Sequence, residues 1–142
     1  MLIGLTVHEY SHARMALALG DTTARDQGRI TFNPLKHIDI LGLIFLIVAG
    51  FGWARPVQFS PDRLRHPRRD KALIALAGPL SNLALGSAFA LLTRLWIYAM
   101  SSLKIAPYIT AHINVYITIL SVLIYCAMIN FGLFIFNLIP LP

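Results

Sequence analysis

Two histidines and a glutamate near the start of the sequence have the spacing of a metal-binding site. His8 and His12 are four residues apart, with Glu9 beside the first, in an apolar run rich in Ala and Leu. If this run is helical, side chains four residues apart lie on one face of the helix. Two imidazoles so placed can bind one Zn²⁺, and the glutamate can act as general base toward water activated by the metal. The pattern predicts His8 and His12 as metal ligands and Glu9 as the catalytic base.

The composition indicates a membrane protein. The chain has 142 residues, of which 57% are hydrophobic and 13% charged, and its mean hydropathy is +0.69. Soluble domains carry about one-quarter charged residues. Ionisable side chains in a bilayer-like segment are costly and usually functional, which argues against a chance pair of histidines on a core helix. The single Cys126 excludes an intramolecular disulfide and a cysteine-based zinc site.

The lengths of the apolar segments predict an all-α polytopic membrane protein. We expect one core domain at 1–142, with three core transmembrane helices at 1–20, 70–100 and 108–139 and a membrane-associated segment at 21–69. Within that segment the apolar run 40–51 is shorter than the roughly 20 residues that cross a bilayer, so it is predicted to be re-entrant or interfacial. Ile30 and Phe32 alternate with polar residues before Asn33-Pro34, which predicts a short strand and a turn.

Basic residues concentrate in two loops, at 21–37 and 55–71. If the short apolar run does not cross, both loops lie on one face, and the positive-inside tendency makes that face cytoplasmic. The proline-rich part of the second loop has the charge to bind nucleic acid, but a basic segment beside anionic lipid is the simpler interpretation. The expected partner is therefore the lipid bilayer, with no nucleic acid.

A third metal ligand is not evident from the residues alone. Catalytic zinc usually takes three protein ligands, and no acidic residue follows Asp70. Asp39 and Asp70 could reach the site, but both adjoin basic loops and are expected to pair with Arg or Lys. The other histidines have no helical spacing to His8 and are not expected to be ligands; they are His37, His66 and His112.

Two further motifs lie on the later apolar segments. Gly78-Pro79-Leu80-Ser81-Asn82 is in the second, where Asn82 either makes an interhelical hydrogen bond or lines the site. Asn137-Leu138-Ile139-Pro140-Leu141-Pro142 ends the third, where two prolines would break the helix. In this order, and together with the histidine motif, they resemble the site-2 protease family of intramembrane zinc metalloproteases. The stretches 28–39 and 52–57 resemble its compact prokaryotic branch, so the similarity covers nearly the whole chain.

The resemblance implies an enzyme of a prokaryotic cell membrane that uses Zn²⁺ to hydrolyse peptide bonds within or near transmembrane helices of membrane-spanning substrates. In that family the proline motif continues into Leu-Asp-Gly, whose Asp is the third zinc ligand and would lie just beyond Pro142. We therefore expect the 142 residues alone to be inactive. Asn137, together with Asn82, would bind substrate, and the segment 28–57 would include a membrane-associated β-hairpin. The residues leave the substrate's identity and the oligomeric state open.

Three other functions compete with this one. A membrane zinc protease of the prenyl-processing type also carries HExxH on a helix, but it needs a downstream Glu ligand, and nothing after Asp70 is acidic. A catalytically incompetent binding module or scaffold would retain the motif without competent zinc, since two histidines alone bind metal weakly. A purely structural bundle leaves Glu9 between two histidines unexplained.

Overall fold

A computed structural model describes residues 1–50, 52–102 and 112–139, most of which are helical. The helices are α1 (Leu2–Ala18), α2 (Thr23–Asp26), α3 (Ile40–Ala49), α4 (Pro67–Ser102) and α5 (Ile113–Leu138). Short 3₁₀ turns occupy Pro34–Lys36 and Pro61–Arg63. No strand forms among the described residues, in agreement with the predicted all-α class.

The chain divides into two compact units, Met1–Ser81 and Asn82–Pro142. Helices α4 and α5 are long and apolar enough to cross a membrane. Helix α1 has 17 residues, so its length of about 26 Å is less than the roughly 30 Å of a hydrocarbon core. Most of the predicted loop at 101–111, the expected helix start at 108, and Pro140 and Pro142 lie outside the described residues.

The first unit has a small apolar core between α1 and the beginning of α4. Its buried members are Ala16, Leu64 and Ile74, with Met15, Leu19 and Phe59 packed against them. Burial of apolar surface is the main favourable term in such contacts. The core therefore fixes the second half of α1 against the first turns of α4, and it sets which part of α4 faces the histidine motif.

Two aspartates act as helix caps where the sequence predicted pairing with Arg or Lys. Helix α4 begins at Pro67, a position where a missing N–H costs nothing. Asp70 accepts a hydrogen bond from the His66 N–H at 2.9 Å. Asp39 accepts one from the Gly42 N–H at 2.9 Å at the start of α3. Both carboxylates thus satisfy backbone donors that would otherwise be open at the helix starts.

A third aspartate, Asp21, links the end of α1 to the second basic loop. Its carboxylate accepts hydrogen bonds from the Thr23 N–H at 2.9 Å and the Ser60 N–H at 2.6 Å. Burial acts against the charged form, but these bonds, the Thr23 hydroxyl and nearby Arg63 outweigh it and lower the pKa of Asp21. The carboxylate is therefore charged at neutral pH and holds residues 21–23 against Ser60.

The strand predicted at 30–32 does not form. The Thr31 carbonyl, which a neighbouring strand would bind, instead accepts a hydrogen bond from His37 Nε2 at 2.8 Å. A side chain that binds a nearby carbonyl gives the backbone an alternative to sheet pairing. Among the described residues, the expected β-hairpin is reduced to one antiparallel bridge, between Ile38 and Ala54.

Arg29 is buried, although its sequence context is a basic loop. Its guanidinium donates to the main-chain oxygens of Lys36 and Arg55, and the side chain is almost fully enclosed. The Arg55 N–H also donates to the His37 carbonyl at 2.9 Å. Together with the bridge, these bonds hold the two ends of the segment 38–54 side by side.

Between those ends, α3 leads away from the bridge, and the residues that follow it pass back along the helix toward the bridge. Gly50, with a φ of 76°, ends the helix in the left-handed conformation that favours glycine. Residues 52 and 53 then pass so close to the helix that a Cβ on Gly42 would overlap the Trp53 main chain. A Cβ on Gly52 would likewise overlap the Gly42 carbonyl. The paired glycines are what allow the two backbones to touch.

Gly42→Ala is expected to lower stability, because the Trp53 backbone must move away from the new methyl group. We expect a net loss of about 1–3 kcal/mol, as is typical of overpacking, despite the roughly 1 kcal/mol by which Ala favours a helix. The measurement is the unfolding midpoint of the purified protein in detergent. Gly132→Ala is the matched control, because a Cβ there meets nothing within 4 Å. If both variants raise the midpoint equally, the close contact between Gly42 and Trp53 is wrong.

Candidate metal centre

The two histidines of the motif converge on one point. His8 and His12 lie one turn apart on α1, and their Nε2 atoms are 2.9 Å from each other. The rings meet edge to face, with centroids 4.6 Å apart and an interplanar angle of 81°. His8 is buried and His12 is half-buried. The spacing of four residues therefore has the geometric result that the sequence predicts, two nitrogen donors on one helix face.

The tautomer of His12 is fixed by α4. Its Nδ1 lies 2.6 Å from the Ile74 carbonyl oxygen. A carbonyl can only accept, so Nδ1 carries the proton and Nε2 of the neutral ring presents a lone pair. In metal sites the second ring nitrogen of a histidine ligand commonly makes such a bond, which orients the ring. The main-chain carbonyl of Ile74 thus orients the His12 ring and leaves its Nε2 available to a metal.

Glu9 is buried beside this pair and is held by the extended chain that follows the bridge. Its Oε2 accepts a hydrogen bond from the Val57 N–H at 3.1 Å, and the carboxylate also interacts electrostatically with Arg29. A buried carboxylate needs partners of this kind. The second carboxylate oxygen is thereby left to act on a substrate or a water.

Gly78 of α4 leaves the space that the imidazoles occupy. A Cβ at this position would lie 2.5 Å from His8 Nε2 and still closer to His12 Nε2. Both distances are below any real carbon–nitrogen contact, so any other residue would push the rings apart. The glycine of the Gly78–Asn82 motif is therefore part of the site, a role that the sequence did not assign to it.

The chemistry of this donor set fits zinc. Zinc binds histidine nitrogen at about 2.0–2.1 Å, and two nitrogens 2.9 Å apart can both lie at that distance from a single ion. The described residues contain no group of three or more His, Cys, Asp or Glu side chains that could hold a metal. Among them, His8 and His12 are the two candidate ligands that lie together.

The two asparagines predicted to bind substrate belong to the second unit. Asn82 is fully buried and donates to Asn130 Oδ1 at 3.0 Å, while Asn130 donates to the Cys126 carbonyl at 2.8 Å. The interhelical bond that the sequence allowed for Asn82 is therefore present between α4 and α5. Asn137 is exposed and donates to the Leu133 carbonyl at 2.8 Å. Of the five predicted site residues, the structure brings together His8, Glu9 and His12.

Comparison with known proteins gives relatives of one kind. The chain is 41% identical over 144 aligned residues to the "Putative zinc metalloprotease YwhC" of Bacillus subtilis, a match that covers all of this chain and 61% of that protein. It is 36% identical over 98 residues to the "Putative zinc metalloprotease Rip2" of Mycolicibacterium smegmatis, covering 66% of this chain and 38% of that protein. No family model and no solved structure matches.

A helix that carries HExxH with converging histidine nitrogens is the active-site element of zinc metalloproteases. The relatives and the three motifs agree on a narrower group, and the chain belongs to the site-2 protease family. It spans about three-fifths of the length of YwhC, and a smaller part of Rip2.

Proposed function

We propose that the chain is the catalytic core of an intramembrane zinc metalloprotease, which hydrolyses peptide bonds within or near transmembrane helices of its substrates. The observation that carries the proposal is the meeting of His8 Nε2 and His12 Nε2 at 2.9 Å beside the buried Glu9 carboxylate. The names of the relatives support a zinc metalloprotease, and the apolar helices α4 and α5 support a membrane setting.

The roles of the residues follow from their contacts. When bound, zinc supplies a Lewis acid that polarises a peptide carbonyl and lowers the pKa of water. Glu9 would take a proton from the attacking water and deliver it to the departing amine. The Val57 N–H holds one oxygen of Glu9, and the Ile74 carbonyl keeps His12 in the tautomer that can bind metal.

Substrate binding and the third ligand are part of the same proposal. The family resemblance implies an Asp as the third zinc ligand and a substrate contact for Asn137, and we keep Asn82 as a second candidate for substrate binding. A peptide bond in a helix is shielded from attack, so a membrane-spanning substrate must partly unwind before it is cut. Asn82 already has a hydrogen-bond partner in Asn130, and a role in substrate binding would require it to contact substrate with its remaining polar atoms or to exchange that partner.

We place both basic loops on the cytoplasmic face of a prokaryotic cell membrane. The ends of segment 38–54 are adjacent, which favours a path that enters and leaves the bilayer on one side. Helix α3 has ten residues and is about 15 Å long, half of a hydrocarbon core. A re-entrant α3 puts the loops before and after it on the same face, as the positive-inside tendency requires.

Zinc content and cleavage, measured on the same preparation, test the proposal. We expect the full gene product, reconstituted in lipid, to hold one zinc per molecule and to cut a model substrate inside its transmembrane helix. His12→Ala should lower zinc occupancy by more than about tenfold and abolish cleavage, because it removes one of two described ligands. His66→Ala is the matched control, since His66 is exposed and outside the site.

The outcomes separate the competing functions. Zinc without cleavage would favour the binding module. The described residues are consistent with that alternative, because they bring together only two candidate metal ligands. Absence of zinc from the full gene product would contradict a metalloprotease. Cleavage that stays at the wild-type rate in His12→Ala would show that the two histidines are not the catalytic centre.

A further inference from the structure

A basic cleft lies on the first unit, and its lining does not include the histidine pair. It has a volume of about 630 Å³, and its lining includes three cations, Arg29, Lys36 and Arg55, with the amides Gln27 and Gln58. Among the described residues, no acidic side chain lines it. A concave surface with one sign of charge concentrates its field and favours ligands of opposite charge. The cleft is therefore suited to an anion.

The positive charge of the cleft is built into the fold. Arg29 is buried and donates to the main-chain oxygens of Lys36 and Arg55, so it fixes the two backbones from which the other cations project. Lys36 and Arg55 are themselves exposed. The ion pairs among the described residues join Arg25 and Arg63 to Asp26, and none of these lines the cleft.

An apolar surface continues from the rim of the cleft. A second depression, of about 330 Å³, shares Leu35 and Arg55 with it and extends to Ile40 and Leu41 on the first turn of α3. Its lining also includes Asp39, whose carboxylate is engaged by the Gly42 N–H at the start of the helix. Ile40 is 75% exposed and Leu41 is 62% exposed. Further along the helix, Ile47 and Val48 are also open. A cationic cavity that passes directly into an apolar helix face matches a molecule with an anionic head and a hydrocarbon tail.

We propose that this cleft binds the phosphate headgroup of an anionic phospholipid such as phosphatidylglycerol, with an acyl chain along α3. Charge complementarity accounts for the headgroup, and the continuous exposed surface of α3 accounts for the chain. A soluble phosphate would leave the apolar part unused. The proposal rests on the membrane placement of α3, but not on zinc or on proteolysis.

Lipid binding can be measured by native mass spectrometry of the full chain released from micelles that contain equal amounts of phosphatidylglycerol and phosphatidylcholine. We expect one phosphatidylglycerol to be retained in preference. Lys36→Gln with Arg55→Gln should weaken that binding roughly twenty-five-fold, since each basic group near anionic lipid contributes about a factor of five. The brace made by Arg29 should survive, because it binds main-chain oxygens.

The matched control is Arg68→Gln with Arg69→Gln, which removes the same charge from exposed residues outside the cleft. It should bind phosphatidylglycerol like the wild type, and the unfolding midpoints should show that both double variants are folded. Equal loss in both double variants would show a general charge effect and overturn the proposal. So would equal retention of the two lipids, or displacement of phosphatidylglycerol by glycerol phosphate or an acidic peptide at similar concentration.

Zinc content and cleavage are to be measured on the same samples. Preferred phosphatidylglycerol binding in a chain that holds no zinc would contradict the protease and leave the lipid site standing. Zinc-dependent cleavage without lipid preference would support the protease and contradict the lipid site.

Discussion

Gly78→Ala is expected to abolish zinc binding and proteolysis while leaving α4 helical. The new Cβ would lie 2.5 Å from His8 Nε2 and closer to His12 Nε2, so the imidazoles must separate. A displacement of about 1 Å at reacting groups can cost a hundredfold in rate, and we expect at least that loss. Alanine favours the helix by about 1 kcal/mol over glycine, so loss of activity through unfolding of α4 is not expected.

The measurement is zinc per molecule and the rate of cleavage, compared with Gly132→Ala. That control makes the same change in α5 at a position where a Cβ meets nothing within 4 Å. It should keep both zinc and activity. If Gly78→Ala also keeps zinc and activity, α4 does not pack against the histidine pair at Gly78, and the proposed arrangement of the metal centre is wrong.

The parts of the site that depend on residues close in sequence could be predicted, and the parts that depend on residues distant in sequence could not. His8, Glu9 and His12 form a local pattern, and helical periodicity alone predicts that the two imidazoles meet. The partners that orient the two side chains are distant: Ile74 is 62 residues from His12, and Val57 is 48 residues from Glu9. Both act through main-chain atoms, so their side-chain types carry no signal of the role.

Gly78 and Arg29 illustrate the same limit in other ways. The sequence singled out the Gly78 motif, but the group that packs against its glycine depends on the register between α1 and α4, which the apolar core sets. Arg29 was counted with the other loop cations, yet it is the buried brace of residues 36 and 55. Composition gives the number of cations in a loop, and only tertiary contacts decide which of them is enclosed.

The 21–69 segment was predicted in outline and wrong in detail. The short apolar run predicted a short helix, and α3 has ten residues, because the length of an apolar run can be read from composition; that the segment does not cross the membrane stays a prediction. The strand at 30–32 failed because His37 binds the Thr31 carbonyl, a local competition that alternation of side chains does not reveal. Helix existence was therefore predictable, and the irregular backbone between helices was not.

Glu9→Gln is expected to keep zinc and lose cleavage by about a hundredfold to ten-thousandfold, the usual contribution of a general base. Glutamine has the size of glutamate, and its carbonyl oxygen can still accept from the Val57 N–H, so the local structure should persist. It cannot take a proton from water. The metal ligands His8 and His12 are untouched, which is why zinc content and cleavage rate should separate in this variant.

Asp62→Asn makes the same change of carboxylate to amide on an exposed residue and should leave both quantities unchanged. Three results of the Glu9 variant have different meanings. Loss of cleavage with zinc retained assigns the base. Loss of both, with an unchanged unfolding midpoint, would mean that the Glu9 charge supports metal binding itself. Cleavage at the wild-type rate would show that another group accepts the proton, and the pairing of Glu9 with Val57 and Arg29 would then serve the fold alone.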